Sequence, residues 1–489
     1  MATSLIQNPS IVAGLILVVS ICVAVFVRNK QAEAQALKNG FAPPPRFRAK
    51  DPFTGLDYVI QFFGDAYYLQ RNRLQYGKTF IIKPWISATS IVTSEPDNIQ
   101  KVFASVDNDY SVNWRKEPFI PFTGQGILTE DGNSWRVPRK LYRPGFAKSN
   151  IANFEFYAKI VDDLINKIPV GKSFDMHPLL LKAFMDNALH FTIGYDTMNP
   201  HEGAPLSRDA FTKTWEDGMQ GIGLRIVTGR LSWLLPMRKF KESCIKVHDF
   251  VDFHIKKASA TEKKTGKDQV GVDILLAQTG DRTLVRNMLV QGIIGAQDTT
   301  SVLTSNTIRA LSRNPALWKE LREEVLKHGS DLFTFDALRS NEVLQNILSE
   351  SLRLYPVFPA MDRVAIRDTV LPTGGGPSGT SPILVKAGTR VQASFFALHR
   401  ESSVYGDEVE TYNPHRWKTI KPGQWEFMAF GAGPRNCMGR EKSLAEAAYI
   451  LAKLAGKFER LESKDEREWV GAVTFTSACK FGCQVAFHE

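Results

Sequence analysis

The segment Phe430-Gly431-Ala432-Gly433-Pro434-Arg435-Asn436-Cys437-Met438-Gly439 constrains this chain more than any other. Its glycines and proline forbid a regular element and build a loop whose backbone can lie close against a flat ligand. From Arg440 the pattern turns helical, which puts Cys437 just ahead of a helix N-terminus. There the free N–H groups and the positive end of the helix dipole favour a thiolate, the form a metal requires. A lone cysteine is more often a small buried apolar residue, but the ten-residue setting points to ligation.

The other cysteines do not compete. They are Cys22, Cys244, Cys479 and Cys483; the total is odd, no C-x-x-C pair occurs and no zinc spacing fits. With no N-x-S/T acceptor site either, the catalytic portion is expected to face a reducing, cytosolic compartment. Residues 11–27 form a run of seventeen uncharged residues, followed by Arg28 and Lys30. Such a run is close to the shortest that spans a bilayer as a helix, and the positive charge beyond it places the remainder of the chain in the cytoplasm. The expected organisation is a single-pass membrane anchor at 1–28, a polar and proline-rich hinge at 29–50, and one large domain at 51–489, at the endoplasmic reticulum.

That domain reads as mainly α with small β-sheets. Apolar residues recur at helical spacing over 151–168, 282–311, 315–327 and 341–354, whereas strand-like pieces are short, at 79–83, 383–386, 390–393 and 483–487. The lysine-rich stretch 256–267 is expected to be an exposed loop. The glycines at 374–379 lack the lysine of a phosphate-binding loop and read as a hairpin turn; Gly124-Gln125-Gly126 lacks the third glycine of a dinucleotide fingerprint. Composition is globular, 43% apolar with 31 Phe. The net charge of +10 is spread along the chain, so no nucleic-acid partner is expected.

Three further constellations stand out from their surroundings. Glu350 and Arg353 lie at i,i+3 on one helix face, where they can bond directly. Asp298 and Thr299, within Gly295-Ala296-Gln297-Asp298-Thr299-Thr300, fall in the middle of a long apolar helix. Polar groups there are costly unless they serve something, and an acid beside an alcohol suits proton relay. Trp135 and Arg139, at i and i+4, can address one anionic carboxylate.

The loop around Cys437 matches F-x-x-G-x-R-x-C-x-G at every fixed position, and the chain resembles the cytochrome P-450 monooxygenases from about Gly124 to its C-terminus. The resemblance implies one domain of the cytochrome P-450 fold and a haem whose iron takes Cys437 as axial thiolate, with Phe430 and Gly431 in the loop against it. Arg435, Trp135, Arg139 and Arg363 would face haem propionates. Glu350 and Arg353 match the family's E-x-x-R element, locked by Arg416 from Tyr412-Asn413-Pro414-His415-Arg416-Trp417; His415 stands where the family commonly has Glu. Asp298 and Thr299 match its proton-delivery pair, although the small pair before them is inverted to Gly295-Ala296. Also implied are O2, a lipophilic substrate reached through membrane lipid, and an NADPH-dependent cytochrome reductase, for which Arg136, Lys140 and Arg143 offer a basic docking surface.

The stretch 367–381, with LHRESSVYGDE and RNPALWKELREEV, looks like fungal membrane-bound alkane and fatty-acid terminal hydroxylases. Related enzymes of that branch tailor secondary metabolites such as terpenes and polyketides. By the same resemblance the pocket positions are Phe122, Met288, Gln291, Ile294 and the stretches 357–361 and 475–477, which are largely apolar. A haem-thiolate isomerase or dehydratase, or a non-catalytic haem protein, would need Cys437 but not the Asp298–Thr299 pair.

Overall fold

The computed structural model describes residues 35–84, 88–104, 109–229, 235–261 and 269–489, with isolated positions 13, 20, 27, 232 and 266. Apart from those isolated positions, the expected anchor at 11–27 lies outside the described residues. Among the described residues no helix is long and apolar enough to cross a membrane.

Helices predominate, as the periodicity predicts. Those that build the site are α1 (Lys116–Thr123), α2 (Gly132–Tyr142), α3 (Met176–Ile193), α4 (Arg208–Thr228), α5 (Arg238–Ala260), α6 (Arg282–Ser312), α7 (Glu342–Leu354) and α8 (Arg440–Lys457). Asp281 caps α6 by accepting the Leu284 N–H at 3.0 Å, and Asn341 caps α7 through Leu344 in the same way. Helix α6 is 31 residues long and buried around most of its circumference, with polar as well as apolar side chains turned inward. Three of its hydroxyls are satisfied within the helix: Thr299, Thr304 and Thr307 each donate to the carbonyl one turn back.

Five strands form a mixed sheet in the spatial order Thr79–Ile82, Ser90–Thr93, Arg390–Ser394, Ala360–Ala365, Tyr110–Ser111. Pairing is antiparallel except between Ser90–Thr93 and Arg390–Ser394. The register sets Arg363 opposite Val391, which carries that arginine on a rigid strand. The glycines at 374–379 form a hairpin turn, with Gly374 N–H donating to Gly379 O at 2.8 Å. The prolines at 43–45 run extended along the sheet: Gly376 N–H donates to Pro43 O at 3.1 Å and Ile81 N–H to Pro45 O at 2.9 Å. The stretch 256–267 is not loop throughout. Lys256 to Ala260 complete α5, since lysine and alanine are good helix formers and the buried face continues to Ile255.

Two apolar clusters share α6. Val302, Leu303, Ile308 and Leu311 pack with side chains of α7 and α8, whereas Val285, Met288, Leu289 and Ile293 pack with those of α1, α4 and α5. At the junction, Gly295 is exposed and Ala296, Asp298 and Thr299 are half-buried, in a helix otherwise almost wholly buried from Met288 to Ser312. An accessible turn in the middle of a core helix marks an interior site.

Candidate active site

The loop around Cys437 is held by its own backbone. Gly431 N–H donates to Met428 O at 2.9 Å, Asn436 N–H to Gly433 O at 3.1 Å and Cys437 N–H to Phe430 O at 2.9 Å. Gly431 and Gly433 take φ of 66° and 70°, and a Cβ on Gly433 would sit 2.5 Å from the Phe103 carbonyl oxygen. Burial is the largest influence on the Cys437 thiol and pushes its pKa up. The N–H groups of Gly439 and Arg440 and the charges of Arg139 and Arg440 pull it down without cancelling the rise. By surface area the residue is nonetheless exposed. Exposure and strong desolvation coexist when the open face of the sulfur looks onto an interior space rather than bulk solvent.

Guanidinium groups gather beside the cysteine loop. Arg435 donates to the Glu130 carbonyl and to Asp131, both at 2.8 Å, and stacks over Trp135 at 4.4 Å. Arg363 lies over Phe103 at 4.3 Å, and its pKa is held well below the usual guanidinium range by burial, with Arg115 and Arg435 adding repulsion that Asp131 and Asp362 only partly offset. Trp114, whose ring lies between Arg115 at 5.5 Å and Arg390 at 5.0 Å, has a buried Nε1 with no hydrogen-bond partner among the described residues. Like charges held together with an orphaned donor suit a flat cofactor bearing carboxylates beside a thiolate-bound metal. Trp135 is buried, and Arg139 turns to Asn436, donating to its carbonyl at 2.9 Å and its side-chain oxygen at 2.8 Å, and braces the cysteine loop. Arg115 and Asp131 are invisible in the sequence, because neither lies in a motif.

On α6, Asp298 Oδ2 accepts from Thr476 Oγ1 at 2.6 Å. Burial raises the acid's pKa against that bond and against nearby His177. Thr299 Oγ1 instead donates to Gly295 O at 2.7 Å, so the acid and the alcohol are neighbours with separate partners. Thr300 Oγ1 donates to Ser443 Oγ at 3.0 Å, which ties the accessible turn of α6 to the first turn of α8, beyond Cys437. Arg136, Lys140 and Arg143 are all exposed, on or beside α2.

Behind the loop, Glu350 is wholly buried and accepts from Arg353 at 2.8 and 2.9 Å, Arg416 at 3.0 Å, Trp417 Nε1 at 3.0 Å and the Asn413 N–H at 2.9 Å. Arg353 spends its remaining donors on the carbonyls of His399, Val409 and Thr411. One carboxylate is thus shared by two guanidinium groups, whose remaining donors reach backbone carbonyls, so no charge in the cluster is buried without a partner. His415 points outward to Glu320 at 3.3 Å, so its departure from the family's glutamate leaves the triad untouched.

Two of the expected pocket positions have defined partners. Phe122 is fully buried in the second core, against Trp215 at 5.3 Å. Gln291 is a clamp: it accepts the Leu128 N–H at 2.9 Å and donates to the carbonyls of Thr123 and Gly124.

Residues 61–470 match the family model described as Cytochrome P450. The chain is 30% identical to Cytochrome P450 monooxygenase FPY7 of Fusarium mangiferae over 466 residues, 90% of this chain and 88% of that one. It is 34% identical to Cytochrome P450 52A3-A of Candida maltosa over 401 residues, 77% and 76% of the two chains. To Cytochrome P450 monooxygenase himC of Aspergillus japonicus it is 30% identical over 490 residues, 96% and 88%. The chain belongs to the cytochrome P450 family. It is a monooxygenase of that family, whose cofactor is haem with a cysteine thiolate as axial ligand and whose reaction draws on O2 and a redox partner.

Proposed function

We propose that this enzyme, anchored through 11–27, hydroxylates or further oxidises a lipophilic substrate with electrons passed from NADPH by a cytochrome reductase. In this reading Cys437 is the axial ligand, and Arg435, Arg363 and Arg115 take the cofactor's carboxylates, with Trp135 as their apolar backing. Haem, when bound, supplies oxygen insertion, and thiolate ligation favours the O–O cleavage this needs. Asp298 and Thr299 hold and move protons at the accessible turn of α6. Glu350, Arg353 and Arg416 fix the layer behind the cysteine loop. The observation that carries the reading is that Cys437 is exposed by surface area and that the acid–alcohol turn of α6 is accessible in a helix otherwise almost wholly buried around it. The fungal relatives favour tailoring of a secondary metabolite, a terpene or polyketide, or terminal hydroxylation of an alkane or fatty acid.

The test is turnover by the full-length enzyme with NADPH and purified reductase against dodecane, dodecanoic acid and panels of terpenes and polyketides under labelled O2. A product carrying one labelled oxygen atom, formed only with NADPH, is expected from at least one of them. No labelled product and no substrate-induced change in the haem spectrum across all of them would overturn the reading.

A further inference from the structure

We propose that Thr476 is the positioning residue for Asp298, and that the adjacent Phe475 ties the setting of that acid to what occupies the substrate pocket. The proposal rests on the reading of Asp298 as the proton-delivering group. Thr476 and Phe475 lie in the turn between strands Gly471–Val473 and Ser477–Cys479, far in sequence from α6. Thr476 is 1% exposed, and its hydroxyl donates to the Asp298 carboxyl at 2.6 Å. The turn is not a loose flap. Ser477 N–H donates to Val357 O at 2.8 Å, Thr474 N–H to Thr476 O at 3.0 Å, and Trp469 Nε1 to Asn306 Oδ1 on α6 at 3.1 Å. The hairpin is therefore fixed to α6 both at Asp298 and about two turns further on, at Asn306.

Phe475 makes the complementary contact. Its ring meets Phe119 of α1 at 6.1 Å and Phe358, which lies just beyond α7, at 5.6 Å. Three rings from three distant segments converge, and the middle one adjoins the residue that holds the acid. A lipophilic molecule seated against these rings presses on Phe475, and because the hairpin ends are held, the adjustment falls on the turn itself and changes the approach of the Thr476 hydroxyl to the carboxyl. That hydroxyl favours the ionised carboxylate, whereas the buried setting favours the neutral acid. A side chain of threonine's size would fill the space equally well as valine; only the donor requires threonine, and serine keeps it.

The experiment uses the full-length enzyme with Thr476→Val, Thr476→Ser and Phe475→Leu. The infrared carboxyl band of Asp298, identified by its loss in Asp298→Asn, is titrated with and without dodecanoic acid; His177 is the other titratable group facing it. Its midpoint is expected to rise by about one pH unit in Thr476→Val, the effect of losing one charge-assisted hydrogen bond, and to return in Thr476→Ser. With dodecanoic acid as probe, product formed per NADPH should fall about tenfold in Thr476→Val, with peroxide in its place. An unshifted band in Thr476→Val, or no recovery in serine, would overturn the positioning role. The probe should move the band in the wild type and not in Phe475→Leu; an equal response in both, or none in the wild type, would overturn the coupling. The band needs no turnover, so a wild type inert toward every substrate counts against the functional reading and leaves the Thr476 result to stand or fall by itself.

Discussion

At the scale of single residues, burial decides more than sequence neighbours do. His399 is fully buried, and its Nε2 accepts the Met428 N–H at 2.9 Å in the approach to the cysteine loop. Burial, with the charges of Arg353 and Arg400 adding, brings its pKa down from 6.5 to about 3. Below pH 6.5 the unfolded chain therefore takes up a proton that the folded chain refuses, and stability falls as pH drops toward 3. The slope from this group is about 1.4 kcal/mol per pH unit. His399→Gln keeps an acceptor without a titration. Urea unfolding at pH 6.5 and 5 should show about 2 kcal/mol less pH-dependent loss in the variant, leaving the similar contribution of His254, which burial holds at about 4. An unchanged difference between the two pH values would contradict this. Sequence patterns singled out Asp298 and Glu350 as polar groups in apolar helical settings. They placed Thr476 only within a pocket stretch and could not pair it with Asp298, 178 positions away.

At the scale of elements, regular periodicity was enough and special backbone was not. The apolar pattern at 282–311 and the capping Asp281 agree, so the long helix falls at Arg282–Ser312, within a residue of expectation. The place of α1 was hidden, because Phe122 fits its core slot only where α4 lacks a side chain: a Cβ on Gly218 would sit 2.1 Å from the Phe122 ring. The cysteine loop depends on glycine in the same way. Gly433→Ala meets both a φ of 70° and the Phe103 backbone, which cannot swing aside as a side chain can. The left-handed conformation alone costs about 1–2 kcal/mol, and displacing the loop adds to it. Haem dissociation measured by transfer to an acceptor protein should be at least about tenfold faster in Gly433→Ala. Equal rates would show that the loop's backbone path is not what retains the cofactor.

At the scale of the molecule, the site exists because two apolar cores meet along α6 without closing over 295–299. Composition and periodicity announced a large, mainly helical domain, and the Cys437 loop announced its family. The guanidinium cluster of Arg115, Arg363 and Arg435 draws its members from α1's approach, the sheet and the cysteine loop, and only folding brings them together. Thiolate ligation by Cys437 is the claim on which the rest depends. It is tested most directly by the reduced, carbon monoxide-bound absorption spectrum of the full-length enzyme beside Cys437→Ala. Ligation by this sulfur predicts the long-wavelength band from which the family takes its name in the wild type, and its loss in a variant that still unfolds cooperatively. A Cys437→Ala protein that keeps the band would contradict it.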